Sequence, residues 1–246
     1  MKKLLTIKYN GAKFEGYATQ PHKKTVQDKL EEALAIILKK KIKTQAASRT
    51  DAKVHALDQK VVVELDILID NDRLKKALNA LLTNYIQVVT VEDVNCDFHP
   101  RKNILYKKYV YVLSKEIDPF CVEYKTLLKY NVDLNKMKKA SQYLIGEHDF
   151  SAFCAAKTDV KTKVRTIYEI NIIEKENDIY FEFKGNGFLY NMIRIIVGTL
   201  IDVGRGKINC DEIKTILEQK ERKNAGMTYP PNGLFLTKVR YCDKIK

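Results

Sequence analysis

Tryptophan is absent from this 246-residue chain, and glycine (10) and proline (5) are few, so the compositional bias of collagen-like, linker-like or low-complexity proteins is missing. The five cysteines, Cys96, Cys121, Cys154, Cys210 and Cys242, are odd in number and lie tens of residues apart. That spacing fits neither a disulfide framework nor a zinc knuckle, and reduced thiols are expected. The four histidines, His22, His55, His99 and His148, include no pair four residues apart that would set two ligands on one helical face, so no metal is expected. No apolar run approaches the roughly 20 residues that cross a bilayer, and the first six residues pass straight into alternating polar positions rather than a secretory core. A cytoplasmic protein with no membrane contact is the expectation.

Acidic residues are outnumbered, with 31 Asp and Glu against 44 Lys and Arg, a formal net charge of +13. Such an excess favours a polyanionic partner, nucleic acid first, through phosphate neutralisation and counterion release. A lysine-rich coding bias would leave the same mark. Only eight of the cations are arginines, so Arg49, Arg101 and Arg194 in distinctive segments weigh more than any lysine cluster. A guanidinium fork suits bidentate contact with phosphate or carboxylate.

Apolar spacing predicts a strand over 4–9, a helix over 25–41 with Thr25 and Asp28 as a capping box, a strand over 60–65, a helix beginning near Asp70, and a strand over 86–94. With residues 43–48 extended, the first half reads βαββαβ, the ferredoxin-like order. The second half predicts strands over 104–113, 164–173, 179–184 and 234–241, with helices over 134–144, 188–203 and 211–219. That is again βαββαβ with one extra helix. The expected fold is α+β, with two ferredoxin-like units, 1–103 and 104–246, forming a mixed or antiparallel central sheet with a basic cleft.

The stretch Ser48-Arg49-Thr50-Asp51-Ala52-Lys53-Val54-His55 sets one acid between an arginine and a histidine in a segment too irregular for core packing. Asp51 reads as a catalytic carboxylate displayed on a connection, or as an aspartate that only organises its own turn. In Tyr106-Lys107-Lys108-Tyr109-Val110-Tyr111, period two puts Tyr109 and Tyr111 on one face, as packing or as a ring that stacks on an unpaired base. Gly146-Glu147-His148-Asp149-Phe150-Ser151-Ala152-Phe153 collects acids and a histidine just after a helix, and reads as scaffold or substrate contact rather than as the catalytic centre. In Phe188-Leu189-Tyr190-Asn191-Met192-Ile193-Arg194, a nearly apolar helix carries one cation, which either snorkels or takes a carboxylate partner, with Asp51 a fitting candidate.

These segments, together with Phe98-His99-Pro100-Arg101 and Gly233-Leu234-Phe235-Leu236, occur in one order over nearly the whole chain. In that order they closely resemble the tRNA pseudouridine synthase A family. The resemblance implies a homodimeric, cofactor-free isomerase that converts uridine to pseudouridine on the 3′ side of the tRNA anticodon stem-loop, at tRNA positions 38, 39 and 40. It implies Asp51 as nucleophile, Arg194 as its basic partner, and Tyr109 as the ring that meets the target uracil. Arg49, His55 and Arg101 would join Tyr109 in binding substrate. Attack at C1′ or at C6 is open, as is the base that removes the C5 proton, Tyr109 or a water. Ser48 and Lys53 stand where the family pattern has glycines, which implies a differently shaped loop, an added phosphate contact from Lys53, or altered uridine choice. Lys108 and Pro100 also depart from the commoner residues. Two rival functions share parts of the pattern: a paired RNA-recognition module, which would not need Asp51, and a hydrolase using His148 with Glu147 or Asp149.

Overall fold

A computed structural model describes residues 1–22, 24–155 and 160–242. In chain order its elements are β1 (Lys2–Tyr9), α1 (Val26–Leu38), β2 (Thr44–Ala46), β3 (His55–Glu64), α2 (Asn71–Leu81), β4 (Ile86–Val94), β5 (Ile104–Ser114), β6 (Thr126–Leu127), α3 (Leu134–Gln142), β7 (Gly146–Asp149), β8 (Val164–Lys175), β9 (Asp178–Gly185), α4 (Met192–Gly204), α5 (Glu212–Gln219) and β10 (Leu234–Tyr241). They form two compact units, Met1–Leu105 with the chain from Phe235 onward, and Tyr106–Leu234. The division expected at 103/104 thus falls two residues later, and the last strand sorts with the first unit rather than the second. A closing strand is placed by its pairing partners, which its own pattern does not name: β10 lies parallel to β3, with Phe235 opposite His55 and Leu236 opposite Ala56.

In the first unit β1 is central, antiparallel to β3 along one edge and to β4 along the other. Residues 3–7 of β1 are accordingly buried without alternation. The opposite edge of β3 is shared by β2, antiparallel from Thr44 opposite Val63 to Ala46 opposite Val61, and by β10 at the His55 end. Residues 47–54 must therefore run back along β3 before the chain re-enters it at His55. Helix α1 starts where the capping box places it: Thr25 Oγ1 accepts the Asp28 N–H at 3.2 Å and donates to Asp28 Oδ2 at 2.5 Å. Helix α2 is capped by Asp70, whose Oδ1 accepts the Arg73 N–H at 2.8 Å, and it packs on β4.

In the second unit the sheet order is β5-β9-β8-β7, antiparallel throughout, with the short β6 parallel to β5. Tyr109 and Tyr111 share the inner face with Phe183 and Phe181 directly opposite on β9, and all four are buried. Large rings on both strands give this face much of its buried area. Helix α3 packs on β8 and α4. The helix expected from 188 begins only at Met192, because Asn191 takes a left-handed conformation (φ 60°) that interrupts the ladder. Strands β6 and β7, two and four residues long, fall below the length at which alternation is legible. Gly146 opens β7 with φ 110°, a conformation closed to most L side chains, rather than capping α3 directly. The α+β class with mixed parallel and antiparallel pairing is the one observed. Among the described residues no helix is long and apolar enough to cross a membrane.

Candidate active site

The irregular segment 47–54 of the first unit is held at nearly every residue. Ala47 N–H donates to Lys60 O at 2.8 Å, continuing the edge of β3. The fully buried Gln59 then replaces a strand partner: its Oε1 accepts the Ser48 N–H at 3.2 Å and its Nε2 donates to Ser48 O at 2.8 Å. Gln59 Nε2 also reaches Tyr9 OH at 3.4 Å, and that hydroxyl shares a 2.7 Å hydrogen bond with Thr50 Oγ1. On the far side, Tyr17 N–H donates to Thr50 O (3.0 Å) and Lys53 N–H to Phe14 O (3.2 Å). Two glycines allow that approach. A Cβ at Gly11 would fall 2.0 Å from Val54 O, and one at Gly16, where φ is 104°, would fall 3.1 Å from Thr50 O.

What this clamp presents is selective. Ser48, Thr50, Val54 and His55 are buried, whereas Asp51 is half-buried and Arg49, Ala52 and Lys53 are exposed. The loop thus displays one carboxylate and a guanidinium on a fixed backbone, the arrangement that preorganised chemistry requires. His55 is only 1% exposed; its ring stacks on Phe235 at 4.5 Å between centroids, and its Nδ1 accepts the Gly11 N–H at 3.0 Å. That nitrogen carries no proton, and the imidazole supports the loop from beneath. Arg101 is exposed but tied to the same segment, its Nε donating to Ala46 O at 3.2 Å. His99 beside it is pushed below its ordinary value by burial and by the neighbouring Arg101, Lys102 and Lys2 cations.

Two further sequence candidates lie in the second unit. Tyr109 on β5 is 8% exposed, with Phe188 edge-on to its ring at 5.2 Å. Arg194, in the first turn of α4, is half-buried, and two of its donors are engaged: Nε gives to Tyr229 O at 2.7 Å and Nη1 to Asn191 Oδ1 at 2.8 Å. A fork held at two points has its plane fixed, which a mobile surface arginine lacks. Residues 225–229 reach Arg194 because they lie almost on α4. A Cβ at Gly198 would sit 1.9 Å from Met227 O, a Cβ at Gly226 would sit 2.7 Å from the Thr199 backbone, and Thr199 Oγ1 accepts the Gly226 N–H at 2.9 Å. Arg222 fastens the same segment, donating to Ala225 O, Gly226 O and Thr228 Oγ1.

The acid-rich segment 146–153 is committed to structure. Asp149 Oδ1 accepts the Ser151 N–H and hydroxyl, at 3.0 and 2.6 Å, and its Oδ2 lies 3.1 Å from Lys220 Nζ. Burial would raise this carboxyl, but the Ser151 and Lys220 donors outweigh it and hold it below the usual range. His148 Nε2 lies 3.0 Å from Ile145 O. Among the described residues no cluster of three His, Cys, Asp or Glu has metal-ligand geometry.

The supports were less visible in sequence than the residues they present. Gln59 carried a signal, a polar residue inside a strand of valines, whereas Gly11, Gly16, Asn191 and Tyr229 carried none that distinguishes them from ordinary turn and loop residues.

Comparison with known proteins gives the family. A family model described as tRNA pseudouridine synthase matches residues 5–101 and 140–242. The chain is 47% identical over 238 residues to the tRNA pseudouridine synthase A of Anoxybacillus flavithermus, covering 96% of this chain and 97% of that protein. It is 44% identical over 245 residues to the protein of the same name from Bacillus subtilis, covering 98% and 99%. The corresponding protein of Exiguobacterium sibiricum is 42% identical over 241 residues, covering 98% and 97%. The chain therefore belongs to the tRNA pseudouridine synthase family of isomerases.

Proposed function

We propose that the chain isomerises uridine to pseudouridine in the anticodon stem-loop of tRNA, with Asp51 as the nucleophile. The observation that carries this reading is the clamped loop, in which Asp51 is the one acid among residues 47–54 and stands half-exposed between the buried Thr50 and Val54. A uridine in a paired stem hides its glycosidic bond, so the base must leave the stack at a cost of a few kcal/mol. The exposed Arg49 is suited to hold the vacated position, and the Tyr109 ring to receive the uracil. The Asp51 carboxylate then attacks C1′ of the ribose or C6 of the base; the C1′–N1 bond breaks, the uracil turns, C5 bonds to C1′, and the bond to Asp51 breaks to free the carboxylate. The proton leaving C5 goes to Tyr109 or to a water, and a proton returns to N1, so the product is an isomer of the substrate.

Asp51 must be ionised to attack, and partial burial opposes that. Arg194 is the cation assigned to it in this reading. At about 4 Å and an effective dielectric near 20, a guanidinium attracts a carboxylate by roughly 4 kcal/mol before desolvation. The hold of Tyr229 O and Asn191 on Arg194 supports that role, because a partner of fixed orientation keeps the attacking oxygen aimed. Arg101 acts at the rim of the loop through Ala46, and His55 acts by supporting the loop. The same reading makes the protein a cytoplasmic homodimer that uses no cofactor. Chemical mapping of pseudouridine in tRNA incubated with the purified protein tests the substrate: the account expects modification on the 3′ side of the anticodon stem-loop, and modification confined to another arm would contradict it.

A further inference from the structure

Among the described residues, six other than glycine adopt positive φ: Lys39, Lys53, Asn103, Glu176, Asn191 and Lys220. Five have ordinary reasons. Lys39 and Lys220 are the C-caps of α1 and α5, Glu176 sits in the β8–β9 hairpin turn, and Asn103 and Asn191 are asparagines, which tolerate the left-handed region. Lys53, with φ 65°, has none of these. It is the third residue of a turn closed by Val54 N–H donating to Asp51 O at 3.2 Å, and Ala52 before it keeps negative φ. That is the type II pattern, whose third position calls for glycine.

The surroundings impose the turn. Lys53 N–H is tied to Phe14 O, Tyr17 N–H is tied to Thr50 O, and Gly16 lies within 3.1 to 3.4 Å, by its would-be Cβ, of Thr50, Ala52 and Asp51 backbone atoms. A lysine here therefore carries conformational strain, and no side-chain partner among the described residues offsets it. Its side chain is exposed, and among the described residues its ammonium makes no ion pair or hydrogen bond. Strain kept at a site, with no internal return, points to a role toward something outside the chain. The group retained is a cation, two residues from Asp51 and on the same rigid turn.

We infer that Lys53 is a substrate contact, its ammonium taking a phosphodiester of the RNA strand beside the nucleotide that Asp51 attacks. This rests on the proposed function and adds to it a specific anchor for the strand. The left-handed backbone gives the lysine a fixed departure direction, so the contact bears on where the strand sits as well as on how tightly it binds.

The test compares Lys53→Gly, Lys53→Met and Lys53→Arg in the full-length protein, using filter binding of unmodified tRNA over a range of salt, thermal unfolding, and the KM and kcat of the isomerisation. Glycine relieves the strain and removes the charge, so its expected effects have opposite signs: a melting midpoint higher by about 2 °C or more, with tRNA affinity about fivefold to tenfold weaker. The slope of log affinity against log salt should fall by about 0.7 to 0.9, the share of one phosphate. Methionine should weaken binding equally without the gain in midpoint, and arginine should retain wild-type binding. In both neutral variants KM should rise while kcat stays within about twofold. Wild-type affinity and salt slope in Lys53→Gly and Lys53→Met would overturn the inference. The deciding readout is binding, so that failure is distinct from a failure of the Asp51 assignment, which would appear as isomerisation by Asp51→Asn.

Discussion

At the scale of single residues, two opposed demands fall on Asp51 in the proposed mechanism. As the proposed nucleophile, the carboxylate must be desolvated enough to attack carbon and charged enough to be a nucleophile, and the proposed role of the Arg194 guanidinium is to reconcile the two. Arg194→Ala is expected to lower single-turnover isomerisation by at least about 100-fold, the order of effect seen when one electrostatic partner is removed, while tRNA affinity by filter binding changes by less than about threefold. Arg194→Lys restores the charge but cannot reproduce the Nε bond to Tyr229 O together with the Nη1 bond to Asn191, so its rate should fall between the two. An alanine variant that turns over at the wild-type rate would remove Arg194 from the chemistry. Both residues stand out in the sequence for the same reason: each is a charge in a segment whose neighbours give it no cause to be there. His55 was legible as a residue of interest, but the substrate contact expected of it is replaced in the present reading by a buried support, since a sequence does not show which side of a loop a ring occupies.

At the scale of elements, the loop is only as fixed as its clamps. Gln59 is the central one, because its amide pairs with both backbone groups of Ser48 and extends through Tyr9 to Thr50. Gln59→Ala leaves a buried N–H and C=O without partners, at about 1 to 3 kcal/mol for each orphaned group. For a chain of this size the melting midpoint should fall by about 4 °C or more. Isomerisation should fall further than that loss of folded protein explains, because Asp51 would no longer be held. A rate reduced only in proportion to the unfolded fraction would show that the clamp serves stability alone. Long elements were read closely from the chain: β4 and β10 have the bounds their alternation predicts, and α1 starts at its capping box. The errors lie where local pattern competes with a backbone detail. Asn191 delays α4 by four residues, β6 and β7 are too short to register, and β3 begins at His55 rather than Lys60 because pairing with β1 and β10 draws the loop's end into the sheet.

At the scale of the whole molecule, charge sets the conditions under which the protein is folded. Asp66, Asp93, Asp118, Glu169 and Asp211 are held below the usual carboxylate range chiefly by hydrogen bonds, from Lys40, Lys3, Cys121, Lys184 and Tyr143 in turn. Burial pushes Asp178 upward, but Lys125 and Ser114 outweigh it and lower it as well. A carboxyl whose value is lower folded than unfolded stabilises the fold above about pH 4, and that contribution is lost as pH falls through the folded value. The opposite limit comes from Tyr17, Tyr111 and Tyr241, whose phenols burial raises, and from Lys125 and Lys184, raised by hydrogen bonds to Asp178 and Glu169. Groups raised on folding stabilise below their unfolded values, near pH 10, and that stability is lost as pH climbs beyond. The melting midpoint should therefore be nearly flat between about pH 7 and 9, ease downward below about pH 7 as unfolding lets His99 take up a proton that its folded surroundings resist, and fall more steeply at both extremes. A midpoint that drops steeply between pH 5 and 7 would mean that a different group governs stability.

The most direct test of the central claim uses tRNA tritiated at uracil C5, since only the rearrangement that joins C5 to C1′ must expel that atom. Wild-type protein is predicted to release tritium to water without cutting the RNA, and Asp51→Asn, at tRNA concentrations where it is shown to be bound, is predicted to release none above background. Tritium release by the asparagine variant at a rate near that of wild type would contradict the account.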